Sequence, residues 1–157
     1  MRRFAAIALI AGLAACQKAP SGQPPVTEVQ ATQIAESAEA SFTTGDTNKI
    51  MAQYADKAVM FDAGTADPSN DRKAQTVWAR NFNSMKPADY KVSQRRIQLL
   101  GGDAFISSGI ESFTVQAGVA RPTVSARFTD VYQRQSDGSW KIVHEHMSSP
   151  PAAAVAN

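Results

Sequence analysis

The strongest constraint on the fold is a change of hydrophobic period near Tyr90. Before this residue, apolar side chains recur every three or four positions, which is the period of an amphipathic helix. After it, they alternate at every second position, which is the period of a strand with one buried face. Helices first and strands afterwards predict an α+β layer fold, in which the helices cover one face of a sheet.

Three helices are predicted in the first half of the chain. A capping box at Thr27 and Gln30 begins the first, and a second, short helix ends near Tyr54. The third spans residues 71–85, where apolar residues keep helical spacing. Between the last two, residues 58–61 (AVMF) form a short apolar run that predicts a buried strand.

Four longer runs with strand period follow: residues 90–100, 104–116, 123–134 and 140–147. The turns between them are short, so neighbouring strands should pair antiparallel as a meander. With 157 residues the chain has room for one domain. We therefore expect a curved, mostly antiparallel sheet, mixed through the early strand, packed on three N-terminal helices.

The first fifteen residues have the pattern of an export signal. Arg2 and Arg3 precede an apolar run over residues 4–15. This run is shorter than the roughly 20 apolar residues that span a bilayer, so a retained membrane helix is disfavoured. The run ends in LAAC, which resembles the lipobox of bacterial lipoproteins and implies cleavage before Cys16 and lipidation of its thiol. The alternative is a free thiol just beyond an ordinary cleavage site.

The segments around Cys16 predict how the chain is organised and where it resides. Gln17 after the cysteine resembles the default signal for sorting to the outer membrane, so we expect an envelope lipoprotein that faces the periplasm, with the inner membrane as the alternative. Several acyl chains on one residue give stable anchoring, at about 0.8 kcal/mol per buried methylene. The predicted parts are a signal peptide (1–15), the lipidated cysteine with a Pro-rich tether (16–26), a domain (27–148) and a disordered tail (149–157).

Charge and motifs exclude several classes of function. Without Arg2 and Arg3, 14 basic residues balance 14 acidic ones, and no basic run is present, so nucleic-acid binding is not expected. The sequence has no nucleophile elbow, Gly-rich phosphate loop or HExxH motif. These absences leave hydrolase, nucleotide-binding and metalloprotease hypotheses unsupported, and no cofactor is predicted.

Three segments carry a family resemblance. Residues 127–132 (RFTDVY) and 137–146 (DGSWKIVHEH) resemble the closing hairpin of the association (hub) domain of calcium/calmodulin-dependent protein kinase, and residues 44–64 resemble the opening of SnoaL-like, nuclear-transport-factor-2-like domains. The resemblance implies a cone with a cavity at its wide end and a homodimer formed through the outer face of the sheet. It leaves function open, because this cone hosts isomerases, cyclases, dehydratases, binding modules and assembly hubs. In the hub domain, arginines lie in the cavity at the positions that match Asp130 and Met147. This chain has neither arginine, so no anion pocket is expected.

Two aspartates are candidate catalytic acids or bases. Asp130 lies between Phe128 and Tyr132 on an otherwise apolar strand face, and Asp62 follows a buried run. Desolvation in an apolar cavity raises the pKa of a carboxyl group and suits it to proton transfer. The alternatives are an ion pair of Asp130 with Arg127, Arg134 or a helix residue, and a turn or helix-capping role for Asp62.

The last strand offers a further set of polar candidates. Strict alternation puts His144 and His146 on the same face as Trp140 and Ile142, and puts Glu145 on the other face. His144 is a candidate proton donor, while His146 and Glu145 are candidate ligand contacts. The two histidines could bind a metal with Asp62 or Asp130 as third ligand. Packing, or an interface with the histidines hydrogen-bonded at its edge, is favoured, and no metal is predicted.

Aromatic residues complete the candidate site. Tyr54 and Trp78 are expected on helix faces towards the sheet, with core packing as their first role. Tyr54 is also a candidate catalytic donor, and Trp78, Phe128 and Tyr132 are candidate ligand walls. Three hypotheses follow: binding of a small apolar molecule in the cone, a cofactor-independent isomerase, cyclase or dehydratase with an aspartate as general base, and a homo-oligomeric interaction module.

Overall fold

The computed structural model describes residues 22–150, which form a helical layer on one bent sheet. The helices are α1 (Glu28–Glu39), α2 (Thr47–Met51) and α3 (Arg72–Ser84), with a 3-10 turn at Ala40–Thr43. The strands are β1 (Tyr54–Phe61), β2 (Ala88–Leu99), β3 (Ala104–Thr114), β4 (Thr123–Arg134) and β5 (Trp140–Ser148). The α+β fold class predicted from the period change is confirmed.

Side-chain caps begin each helix. Thr27 and Gln30 form the predicted capping box, in which the Gln30 N–H donates to Thr27 Oγ1 at 3.3 Å and the Thr27 N–H donates to Gln30 Oε1 at 3.0 Å. At the start of α2, Asp46 accepts a hydrogen bond from the Asn48 N–H at 2.9 Å. At the start of α3, Asp71 accepts from the N–H groups of Lys73 and Ala74. These carboxylates satisfy N–H groups that the first turn of a helix leaves without partners.

The sheet has the order β1-β5-β4-β3-β2. The four later strands pair antiparallel in sequence, as predicted, and β1 joins β5 in parallel. The early strand begins at Tyr54, so the prediction that Tyr54 lies on the second helix is wrong. Tyr54 is a strand residue because it pairs with Ile142 on β5. The Ile142 N–H donates to the Gln53 carbonyl at 2.8 Å, so the chain joins the sheet although the local spacing is helical.

A bulge in β2 bends the sheet into a cone. The register between β2 and β3 shifts between Ser93 and Arg96, and Gln94 adopts a φ of 53°. The bulged strand passes so close to Gly109 on β3 that a Cβ there would lie 2.9 Å from the Ser93 carbonyl oxygen and 3.2 Å from Phe128. Only glycine fits at this position, so Gly109 permits the bend that opens one end of the cone.

The narrow end of the cone is filled by side chains. Phe105 and Tyr132 stack with ring centroids 4.6 Å apart, and Ile142 and Tyr54 continue the same row across the sheet. Val26 is 5% exposed, and its N–H donates to the Gly102 carbonyl at 3.1 Å. The packed region therefore begins upstream of residue 27, within the predicted tether.

The predicted signal peptide, Cys16 and most of the tail lie outside the described residues. Among residues 22–150, no helix has the length and apolar content needed to cross a membrane.

Candidate functional site

A second bulge decides which side chains of β5 face the helices. Ile142 pairs with Tyr132 and His144 pairs with Val131, so Val143 is the extra residue. A bulge residue breaks the alternation of a strand, and side chains beyond it change faces relative to those before it. Ile142 is fully buried in the core, and His144, two positions beyond it and past the bulge, no longer shares its face.

The two histidines consequently lie on the outer face of the sheet. Both contact Phe61, with ring centroids 5.7 Å from it in each case. The prediction that they share a face with Trp140 and Ile142 is wrong, because strict alternation fails at the bulge. The structure thus separates His144, the candidate donor, and His146, the candidate ligand contact, from the interior. The homodimer implied for this outer face stays a prediction.

On the inner face, β4 and β5 place two carboxyl groups directly opposite each other. Asp130 pairs with Glu145 across the ladder, and their exposed fractions are 6% and 3%. The Tyr54 hydroxyl donates to Glu145 Oε2 at 2.5 Å. Asp130 Oδ1 and Glu145 Oε1 are buried without a hydrogen-bond partner among residues 22–150. Within residues 22–150 Asp130 forms no ion pair: Arg134 pairs with Asp103, and Arg127 donates to the Ser149 carbonyl.

Two more carboxyl groups lie towards the wide end. Glu111 on β3 is 6% exposed and accepts a hydrogen bond from the Tyr90 hydroxyl at 2.5 Å. Asp62 follows β1 and accepts from the Trp78 indole N–H at 2.9 Å and from the Gly64 N–H at 2.7 Å. Asp62 therefore has the predicted turn role and also lies at the cavity mouth.

These groups line two adjoining cavities. The inner chamber, of about 20 Å³, contains Asp130 and Glu145 in its wall, and the outer vestibule, of about 450 Å³, contains Asp62. The two cavities share four lining residues: Trp78, Phe82, Glu111 and Met147. The chamber has room for one group the size of a water molecule, whereas the vestibule accommodates a small organic molecule.

The predicted site is therefore only partly assembled in the cavity. Phe128 joins Asp130, Glu145 and Trp78 around the chamber, while Tyr132 is buried at the narrow end against Phe105. Tyr54 reaches the cluster through its bond to Glu145. Within the described part of the chain, no three His, Cys, Asp or Glu side chains come together as a metal site.

Glu111 and Tyr90 line the chamber but were not predicted as site residues. Glu111 lies between Gly109 and Phe113 on the inward face of β3, a face that also contains Ser107. The apolar neighbours on both sides that marked Asp130 are therefore missing, and only the fold shows that Glu111 lies at the chamber. Tyr90 has no comparable signal, because its bond to Glu111 depends on the pairing of β2 with β3.

Burial controls the protonation of the cluster. Desolvation raises the pKa of Glu111 from 4.5 to about 7 and that of Glu145 from 4.5 to about 8, although the tyrosine hydrogen bond to each lowers its pKa. Desolvation, and then the charge of Glu145, raises the pKa of Asp130 well above 3.8. Carboxyl groups with such pKa values exchange protons near neutral pH, as general acids and bases require.

The family follows from comparison with known proteins. The model of the SnoaL-like domain matches residues 31–153. The chain belongs to the SnoaL-like domain family. This confirms the resemblance seen in its opening segment and its closing hairpin. A comparison with curated proteins found no match.

Solved structures share the fold of this SnoaL-like domain. A Xanthomonas campestris protein described as a calcium/calmodulin-dependent protein kinase II association domain is 25% identical, with a TM-score of 0.74 over 82% of this chain and 91% of that one. An NTF2-like protein of unknown function from Pseudomonas putida is 24% identical, with a TM-score of 0.67 over 83% and 91%. A Streptomyces avermitilis protein described as a dehydratase of the NTF2-like family is 14% identical, with a TM-score of 0.64 over 79% and 96%. The last two likenesses show the fold alone.

The raised pKa values predict that stability falls as the pH rises. Between pH 4.5 and about 8 the folded protein retains protons on Glu145 that the unfolded chain has released, so the free energy of unfolding decreases through that window. In Glu145→Gln this group no longer titrates, and the slope should become shallower by up to about 1.4 kcal/mol per pH unit. Urea unfolding from pH 5 to pH 8 measures both slopes.

The matched control is Glu28→Gln, an exposed glutamate on α1, which should keep the wild-type slope. Equal slopes for wild type and Glu145→Gln would contradict the assignment of a proton to the buried carboxyl.

Proposed function

We propose that this SnoaL-like domain binds a small, largely apolar molecule in its cone. The observation that carries the proposal is the vestibule of about 450 Å³, which has Trp78, Phe82 and Phe113 in its walls and reaches Glu111. Apolar walls with a few convergent polar groups, in a volume of roughly 300 to 1,000 Å³, are typical of small-molecule sites.

A larger groove, of about 550 Å³, lies at the other end of the sheet, where Gln23 and Gln30 face Trp140. It is less suited to a specific ligand. Its arginine, Arg134, already pairs with Asp103, and the buried carboxyl groups lie at the cone instead. We therefore assign the ligand site to the cone.

Binding can be measured with the neutral fluorophore N-phenyl-1-naphthylamine, whose emission rises in apolar surroundings. Val124 lines the vestibule, so Val124→Trp should fill the entrance and weaken binding by about tenfold or more, equivalent to about 1.4 kcal/mol. Val119→Trp makes the same change in the exposed turn between β3 and β4 and should bind as the wild type does. Failure of the wild type to bind, or equal affinity in both variants, would exclude the cone as the site.

We propose acid–base catalysis as a second candidate function, of the isomerase, cyclase or dehydratase type. Its support is a carboxyl group with a pKa of about 7, Glu111, placed where the vestibule meets the chamber. An ionised Glu111 would take a proton from carbon, and a protonated Asp130 or Glu145 would stabilise the developing oxyanion. Glu111 is better placed for this than Asp130, because the chamber beside Asp130 has no room for a substrate.

Proton transfer can be tested without knowing the substrate. The apolar ketone 2-tetralone exchanges its acidic α-protons slowly in D2O, and NMR follows the exchange. The protein should accelerate the exchange, and Glu111→Gln should reduce the acceleration about 100-fold, the lower range for loss of a general base. Glu36→Gln, an exposed glutamate of α1, is the control. Exchange at the buffer rate with wild-type protein would count against catalysis of this type.

We further propose that Cys16 anchors the domain to a membrane of the cell envelope, with the domain facing the periplasm. The support is the LAAC sequence after the apolar run and the Gln17 that follows it. Metabolic labelling with palmitate should mark the wild type and leave Cys16→Ser unlabelled. Gln17→Asp should remain labelled but move from the outer to the inner membrane fraction. Labelling of Cys16→Ser would overturn the assignment of the lipid to this residue.

A further inference from the structure

We propose that the molecule bound in the cone is a primary amine, with its ammonium group in the inner chamber and its apolar body in the vestibule. The inference rests on the proposed ligand-binding function and names the class of ligand. It is carried by the charge, the unpartnered oxygens and the size of the two cavities.

The cavities contain acidic groups and no basic ones. Asp62, Glu111, Asp130 and Glu145 line them, and among residues 22–150 no Lys, Arg or His side chain does so. An ionised carboxylate in a low-dielectric interior needs a partner of opposite charge. Since the lining supplies none, the carboxyl groups keep their protons in the empty cone, and a cationic ligand would bring the charge that lets them ionise.

Arg95 does not supply that charge to the chamber. Its guanidinium donates to both carboxylate oxygens of Glu39, at 2.8 and 2.7 Å, and to the Ser107 hydroxyl at 2.9 Å. It lowers the pKa of Asp130, but by less than desolvation or the charges of Glu145, Glu111 and Glu39 each raise it. Its charge is therefore largely compensated by Glu39.

Two carboxyl oxygens in the chamber lack hydrogen-bond donors, and an ammonium group would supply them. Each of Glu111 and Glu145 accepts one tyrosine hydroxyl, through Oε2. Asp130 Oδ1 and Glu145 Oε1 are more than nine-tenths buried by residue, line the chamber and have no partner within the described part of the chain. An ammonium group carries three N–H donors and no acceptor, so it matches two orphan oxygens and the adjacent Glu111.

Size selects a primary amine among cations. A volume of about 20 Å³ admits a group the size of a water molecule, which fits an ammonium group and excludes guanidinium and trimethylammonium groups. The rings of Trp78, Phe82 and Phe128 line the same chamber, and aromatic rings attract a cation that lies over their faces. The attached hydrocarbon would then occupy the apolar vestibule.

Binding of a cation should also change the protonation of the site. Desolvation and mutual repulsion keep protons on the carboxyl groups, and a positive charge between them reverses this effect, so a carboxyl proton passes to solvent as the ammonium enters. The other groups that act on the cluster are Tyr54, Tyr90, Glu39, Asp62 and Arg95. Affinity for the amine should therefore rise between pH 6 and pH 8.

The test is isothermal titration calorimetry of the purified protein with four ligands that share a phenyl body. They are 2-phenylethylamine, 2-phenylethanol, 3-phenylpropanoate and N,N,N-trimethyl-2-phenylethylammonium. At pH 8 the primary amine should bind about tenfold or more tightly than the alcohol and the quaternary amine, and the carboxylate should bind least. Titrations in buffers of different ionisation enthalpy should show proton release with the primary amine alone.

Asp130→Asn keeps the shape of the chamber and removes one acid, so it should lose the preference for amine over alcohol while retaining alcohol binding. If this variant does not fold, Glu111→Gln provides the same comparison. The exposed-site control Glu36→Gln should retain the wild-type preference.

The outcomes separate this inference from the proposed function. Alcohol binding as tight as amine binding, or an unchanged preference in both the Asp130→Asn and Glu111→Gln variants, overturns the amine assignment and leaves the cone as a binding site. Absence of binding by all four ligands, together with no binding of N-phenyl-1-naphthylamine, overturns both. Tighter binding of the quaternary amine than of the primary amine overturns placement of the ammonium in the chamber.

Discussion

The register of β4 against β5 is the constraint on which the site depends. It places Asp130 opposite Glu145 on the inner face, and the bulge at Val143 ensures that Glu145, and not His144, is the partner. Without the extra residue, the alternation of side chains along β5 would place His144 and His146 inside the cone and Glu145 outside it. The chemistry of the interior is therefore set by one irregularity in backbone pairing.

Keeping several acids inside an apolar cone opposes folding. Tyr54 and Tyr90 each satisfy one carboxyl oxygen, but Asp130 Oδ1 and Glu145 Oε1 have no partner in residues 22–150. A partly satisfied buried network is less stable than an apolar core of the same shape. Such an arrangement is expected where a ligand completes the hydrogen bonds, and the chamber that contains these atoms shares four lining residues with the vestibule.

Much of the fold could be predicted because it depends on local patterns. The capping box at Thr27, the third helix and the bounds of β4 agree with expectation, since caps, periodicity and turn residues act over a few positions. Tyr54 was misplaced because its conformation depends on pairing with β5, about 90 residues further along the chain. Local spacing carries no information about such a partner.

The candidate site was predicted only in part, for the same reason. By itself, the sequence determined that the chain forms helices and then a meander, that Asp130 interrupts an apolar strand face, and which family the closing hairpin resembles. The tertiary structure alone decided that the histidines face outwards, that Glu111 and Tyr90 join the cluster, and that the chamber admits a single small group. Register, bulges and cavity volume arise from contacts between distant segments, whereas period and capping arise from neighbours along the chain.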